Sequence, residues 1–173
     1  MSTIRFCRSQ FLAVVFTGIG AASLSVANAA PDACAALTVA ELSSAVGQPV
    51  GPPAPSENGD GGGECMYLFG PSNQTGLNQL GVEVYQFRSA AEAQKWFSNK
   101  LANSDDAIGS QKPVQEPGVG DGAFSKMGVF LGSTKAIEWV AVHGTRGIQI
   151  SVITANLPSH DRLRGLVLSG LNR

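Results

Sequence analysis

Three apolar-rich runs follow one another between Ala123 and Thr154, and this stretch constrains the fold more than any other. The runs are Ala123–Leu131, Ala136–His143 and Gly147–Thr154. In the second, Ile137, Trp139 and Ala141 alternate with Glu138, Val140 and Val142. In the third, Ile148, Ile150 and Val152 alternate with Gln149, Ser151 and Ile153. A repeat of two is that of a strand, whose successive side chains point to opposite faces. Gly144 to Arg146 leaves room only for a tight connection, so the last two runs are expected to form a hairpin.

Two earlier runs read as strands in the same way. Cys65–Phe69 is short. Leu80–Phe87 puts Leu80, Val82 and Val84 on one face and Glu83, Tyr85 and Phe87 on the other. Three segments carry helix signals instead. Leu37–Val46 has Thr38 as N-cap with Glu41 completing a capping box, Leu37 and Leu42 at the staple positions, and Gly47 as its stop. Ser89–Leu101 is capped by Ser89 and Glu92, and Ala93, Trp96, Phe97 and Leu101 form an apolar stripe read as core. Ser159–Leu171 turns Leu163, Leu166, Val167 and Leu171 inward, with Ser159 as N-cap. The order α-β-β-α-β-β-β-α is dominated by hairpins. It implies an α+β fold, an antiparallel sheet of about five strands with three helices packed on it.

The first 29 residues are set apart from this fold. Arg5 and Arg8 precede the apolar run Phe11–Ala22, and Ala27-Asn28-Ala29 is a small-x-small cleavage site, so 1–29 read as a secretory signal peptide. The apolar run is too short, and too interrupted by Gly18 and Gly20, to span a hydrocarbon core of roughly 30 Å. No cysteine has the sequence context of a lipidation site. The expectation is therefore a single exported domain over 30–173, periplasmic or extracellular, not lipidated and without a transmembrane anchor once cleaved. Cleavage removes 29 of 173 residues and two of the twelve basic ones. The remaining chain is weakly acidic, and neither it nor the whole chain has the basic excess of a nucleic-acid binder.

Export gives the cysteines their meaning. Cys7 leaves with the signal peptide, and Cys34 and Cys65 remain. Two cysteines in an oxidising compartment read as one disulfide, tying the start of the first helix to a strand. Between them lies a Gly/Pro-rich loop at 47–63, where ten of seventeen residues are Gly or Pro. Its Gly59-Asp60-Gly61-Gly62-Gly63 run is no phosphate cradle, since no Gly-Lys-Ser/Thr opens a helix after it. Asn73-Gln74-Thr75 matches a glycosylation sequon, relevant only in a eukaryotic host.

The chain resembles small exported bacterial α+β proteins of unknown function, which are described as uncharacterised secreted or lipoprotein-like. The resemblance rests on Cys34 ahead of a short helix ending at Gly47, a Pro/Gly-rich loop leading to Glu64-Cys65-Met66-Tyr67, and Pro117-Gly-Val-Gly-Asp121 before the aromatic strand at Phe124. These proteins are similar to the PsbP-like/Mog1-like sandwich folds. The resemblance implies a sandwich and supplies no catalytic residues.

Chemistry-bearing residues are sparse. The two histidines, His143 and His160, read as exposed surface groups. The competing reading is a hydrolase-like enzyme of unrecognised type, using one of them as base for a serine. No Gly-x-Ser-x-Gly elbow accompanies them. Asp105-Asp106 reads as a solvated loop, and Asp121 as a turn residue bonding its own backbone. No metal-ligand cluster and no cofactor motif is present. The face carrying Glu83, Tyr85, Glu138 and Gln149 is half apolar, because Phe87, Val140, Val142 and Ile153 share it. Such a face is either covered by a helix or left for a ligand or partner. The expected function is a non-enzymatic binding or interaction module for a protein or a small apolar ligand. A structural accessory of an envelope complex is the other alternative.

Overall fold

A computed structural model describes residues 32–57, 62–70, 78–104, 111–132 and 134–173. The segment 1–29 expected to be a signal peptide, the start of the glycine run at Gly59, the sequon at Asn73 and the Asp105-Asp106 pair lie outside the described residues.

The described residues begin with two short helices. α1 (Ala33–Ala36) is capped by the Asp32 carboxylate, which accepts from the Cys34 and Ala35 backbone N–H groups. α2 (Val39–Val46) starts at Thr38, with both bonds of the capping box formed, and stops at Gly47 with φ 70°. Seven strands follow: β1 (Ala54–Glu57), β2 (Gly63–Leu68), β3 (Gln79–Gln86), β4 (Val114–Gln115), β5 (Gly122–Leu131), β6 (Thr134–His143) and β7 (Arg146–Thr154). α3 (Ala90–Ala102) lies between β3 and β4, and α4 (His160–Leu171) closes the chain.

The strands form one sheet in the order β1-β2-β3-β7-β6-β5-β4, and every neighbouring pair is antiparallel. It consists of two meanders, β1-β2-β3 and β4-β5-β6-β7, joined where β3 pairs with β7. The expected five-stranded sheet with three helices is therefore corrected to seven strands and four helices among the described residues. The additional elements are short pieces at the margins. β1 arises inside the 47–63 segment read as loop, and β4 inside a turn-rich stretch. Both are edge strands, bonded on one side only, so neither needs the alternating apolar pattern that reveals a central strand. Pro55 in β1 is tolerated for the same reason. α1 has four residues, too few to display helical periodicity.

The two faces are covered unequally. Leu80, Val82, Val84, Trp139, Ile150 and Val152 are fully buried on one face, beneath α1 and α4, with α2 packed on α4. Leu163 and Val167 of α4 are completely buried there, each contributing about 1.5–3 kcal/mol. The Cys34–Cys65 disulfide joins α1 to β2, with Cα atoms 5.1 Å apart. Among the described residues, the opposite face carries α3, packed on β5, β6 and β7.

Candidate functional site

The antiparallel register sorts the second face into rows. Tyr85, Gly147, Val142 and Gly122 form the first, from β3 across to β5. Glu83, Gln149, Val140 and Phe124 form the second. Gly81, Ser151, Glu138 and Lys126 form the third.

α3 docks over the first row, because its glycines leave room for rings. A Cβ on Gly147 would stand 2.9 Å from Trp96 Cζ3, and one on Gly122 would stand 3.0 Å from Phe97 Cε1. Trp96 also packs on Tyr85 (centroids 4.7 Å apart) and Phe87 (5.5 Å), and Phe97 packs on Phe124 (5.7 Å). The helix is thus fixed at one end of the face. A pocket of about 450 Å³ opens beside it, lined by Trp96, Asn99, Lys100, Phe124, Glu138 and Gln149 among others.

Polar groups of α3, β6 and β7 line this pocket, and others stand on the same face of the sheet. Glu83 of β3 accepts from the Tyr85 hydroxyl (2.5 Å) and from Gln149 Nε2 (3.0 Å). Lys100 of α3 holds its ammonium 5.8 Å from the Tyr85 ring centroid and 6.0 Å from that of Trp96, within cation–π range. Glu138 of β6 is buried, and burial raises its pKa. The charges of Lys100 and Lys126 oppose that rise, while Glu83 adds to it. Lys126 of β5 is 1% exposed, directly opposite Glu138 in register. Among the described residues its Nζ has no hydrogen-bond partner, and neither do the buried Trp96 Nε1 and Gln149 Oε1.

The four residues singled out from the sequence, Glu83, Tyr85, Glu138 and Gln149, therefore occupy this face together. Glu138 and Gln149 line the pocket, while Glu83 accepts from Gln149 and Tyr85 packs on Trp96. Trp96 was read as core, yet it is only half-buried and forms a wall. Lys126 escaped attention although its position carried a signal. It stands two residues from Phe124 in a strand, hence on the same face, and a lysine there has no solvent to reach.

The histidines lie elsewhere. His143 Nδ1 is 3.3 Å from Asp121 Oδ1, and Asp121 Oδ2 accepts from the Gly144 backbone (2.6 Å). That backbone bond is the main cause lowering the pKa of Asp121. Asp121 thus fastens its turn to the β6–β7 hairpin rather than to its own backbone. His160 Nε2 is 2.8 Å from Glu116 Oε1, and Ser125 Oγ donates to the same oxygen (2.5 Å). Histidine, serine and carboxylate do meet there, but in the wrong order for nucleophilic catalysis. The acid stands between Ser125 and His160, so the imidazole is not placed to take the serine proton. Among the described residues no three His, Cys, Asp or Glu side chains are grouped to hold a metal ion.

No protein-family model matches the chain, and no curated protein matches it in sequence. In structure it is similar to the extracellular domain of PknH from Mycobacterium tuberculosis. The TM-score is 0.59 at 8% identity, covering 79% of this chain and 92% of that one. This likeness shows a shared fold. A structure from Bacteroides thetaiotaomicron is more distant, with a TM-score of 0.39 at 13% identity, covering 67% of this chain and 40% of that one. Among the described residues, no helix is long and apolar enough to cross a membrane.

Proposed function

We propose that this chain is an exported, non-enzymatic binding module whose ligand enters the pocket between α3 and the sheet. One observation carries this reading: two residues lining the cavity, Trp96 and Gln149, hold buried polar atoms without partners among the described residues. Buried polar groups are normally hydrogen-bonded, and leaving one unmet costs about 1–3 kcal/mol. A ligand that met Trp96 Nε1 and Gln149 Oε1 while covering Trp96 and Phe124 would recover that cost. The volume, about 450 Å³, suits a small molecule better than a protein segment.

Export is supported by the n-region, apolar run and cleavage site of residues 1–29, and by the Cys34–Cys65 disulfide. A fold shared with an extracellular domain is consistent with it, as is the likeness to small exported bacterial proteins of the PsbP-like/Mog1-like kind. The test uses the uncharged fluorophore 1-aminoanthracene. Saturable binding at one site is expected, and Asn99→Trp, which fills the pocket from the exposed side of α3, should abolish it. Absence of saturable binding, or binding that survives Asn99→Trp in a folded variant, would overturn the assignment.

A further inference from the structure

Small-molecule sites are walled mainly by hydrophobic and aromatic side chains, with a few polar groups that fix orientation. In the α3 pocket the proportion is reversed. Trp96 and Phe124 supply aromatic surface, and the six other lining residues are polar. Two of those six, Lys100 and Glu138, are of opposite charge, so the lining favours neither sign of ligand. The remaining four are neutral: three amides, Asn99, Asn103 and Gln149, and the hydroxyl of Ser104.

Three of these four are held by bonds that each spend a donor. Asn103 Nδ2 donates to the Asn99 carbonyl (2.9 Å), Ser104 Oγ to the Leu101 carbonyl (2.8 Å) and Gln149 Nε2 to Glu83 Oε1 (3.0 Å). The last bond fixes which end of the Gln149 amide is oxygen, because only the nitrogen can donate to a carboxylate. Gln149 Oε1 is left as a buried acceptor with no partner among the described residues, and Trp96 Nε1 as a buried donor with none. A ligand that answers both must accept one hydrogen bond and donate another. A hydroxyl does so from a single uncharged group. The aromatic surface asks in addition for a face without polar atoms. A pyranose ring combines the two, with hydroxyls around its rim and C–H groups across its faces. Resting on the binding-module reading, we infer that the pocket takes a neutral monosaccharide unit, its ring against Trp96 and Phe124 and its hydroxyls toward the amide side chains.

The experiment titrates the methyl pyranosides of glucose, galactose, mannose and N-acetylglucosamine by calorimetry. 2-Methoxytetrahydropyran, the same ring without its hydroxyls, is the comparator. At least one glycoside is expected to bind roughly tenfold or more tightly than the comparator, the ratio for one to two neutral hydrogen bonds. Trp96→Phe keeps an aromatic wall and removes the unmet N–H, so no hydrogen bond within the described residues is lost. It should lower that preference about three- to tenfold. Comparator binding as tight as that of every glycoside overturns the inference and leaves the pocket assignment standing. A preference that survives Trp96→Phe undiminished places the sugar elsewhere and overturns it as well. Failure of all five compounds while 1-aminoanthracene still binds defeats the saccharide inference alone. Failure of every probe defeats both readings.

Discussion

Replacing Lys126 with methionine should make the protein more stable. The side chain is 1% exposed, and its ammonium has no hydrogen-bond partner among the described residues. An unmet buried donor costs about 1–3 kcal/mol, more when charged. Methionine keeps most of the unbranched stem, so the packing against neighbouring strands is largely retained. One loss runs the other way, since Glu138 gives up the charge of Lys126, the weakest of the influences on it. The net expectation is a gain of about 1–3 kcal/mol, or roughly 3–9 °C in Tm for a domain of this size. Urea unfolding is the direct assay, with an unchanged slope as the sign that only stability has moved. A variant less stable than wild type by about 1 kcal/mol or more would refute the reasoning. It would mean that the ammonium is paired in solution.

Other outcomes follow from the same structure. Reduction of the Cys34–Cys65 bridge, which spans 31 residues, should cost about 3–4 kcal/mol by the chain-entropy relation, and the oxidised protein should yield no titratable thiol from this pair. Glu41 has its pKa lowered from 4.5 to about 2, first by the Thr38 hydroxyl, then by the Thr38 backbone and Ser169, with Arg173 adding to the effect. A carboxylate lowered on folding stabilises above its unfolded pKa, so this contribution should fade as pH falls from about 4.5 through about 2. Glu41→Gln should remove that pH dependence and cost roughly 0.5–1 kcal/mol, the range of a surface cap. Gly147→Ala would place a methyl 2.9 Å from Trp96 Cζ3 and 3.1 Å from Phe87 Cε2. It should destabilise by about 1–3 kcal/mol and weaken 1-aminoanthracene binding by displacing the Trp96 wall, which a titration of the folded variant will read.

The parts of this fold legible in the sequence are those in which one residue type has one physical use. Thr38 with Glu41, and Gly47 after Val46, mark the ends of α2 because few residues serve in those places. The alternation through Ala136–Thr154 marks β6 and β7 because both faces of a central strand are buried by different partners. β1 and β4 escaped because an edge strand draws its stability from backbone bonds on one side, which leave no trace in the side-chain pattern. At the candidate site, Glu83, Tyr85, Glu138 and Gln149 share a face by simple alternation, and the structure places them there together. Trp96 and Lys126 were harder to see. Whether α3 covers the whole face or only its glycine row depends on Gly122 and Gly147 accepting two rings, a matter of tertiary fit. The Glu116–His160–Ser125 contact is likewise invisible in sequence, because its three members come from separate elements.

The central claim is that the α3 face, and not the core under α4, receives a ligand. The chain has two tryptophans, one on each side of the sheet. Trp96 stands in the pocket wall, and Trp139 is fully buried beside the His160 ring. Their indole N–H groups give separate signals in a proton–nitrogen correlation spectrum, both from nitrogens with no hydrogen-bond partner among the described residues. On titration with 1-aminoanthracene, the Trp96 signal should move in a saturable way while that of Trp139 stays in place. A titration that moves Trp139 alone, or leaves both where they began, would contradict the account.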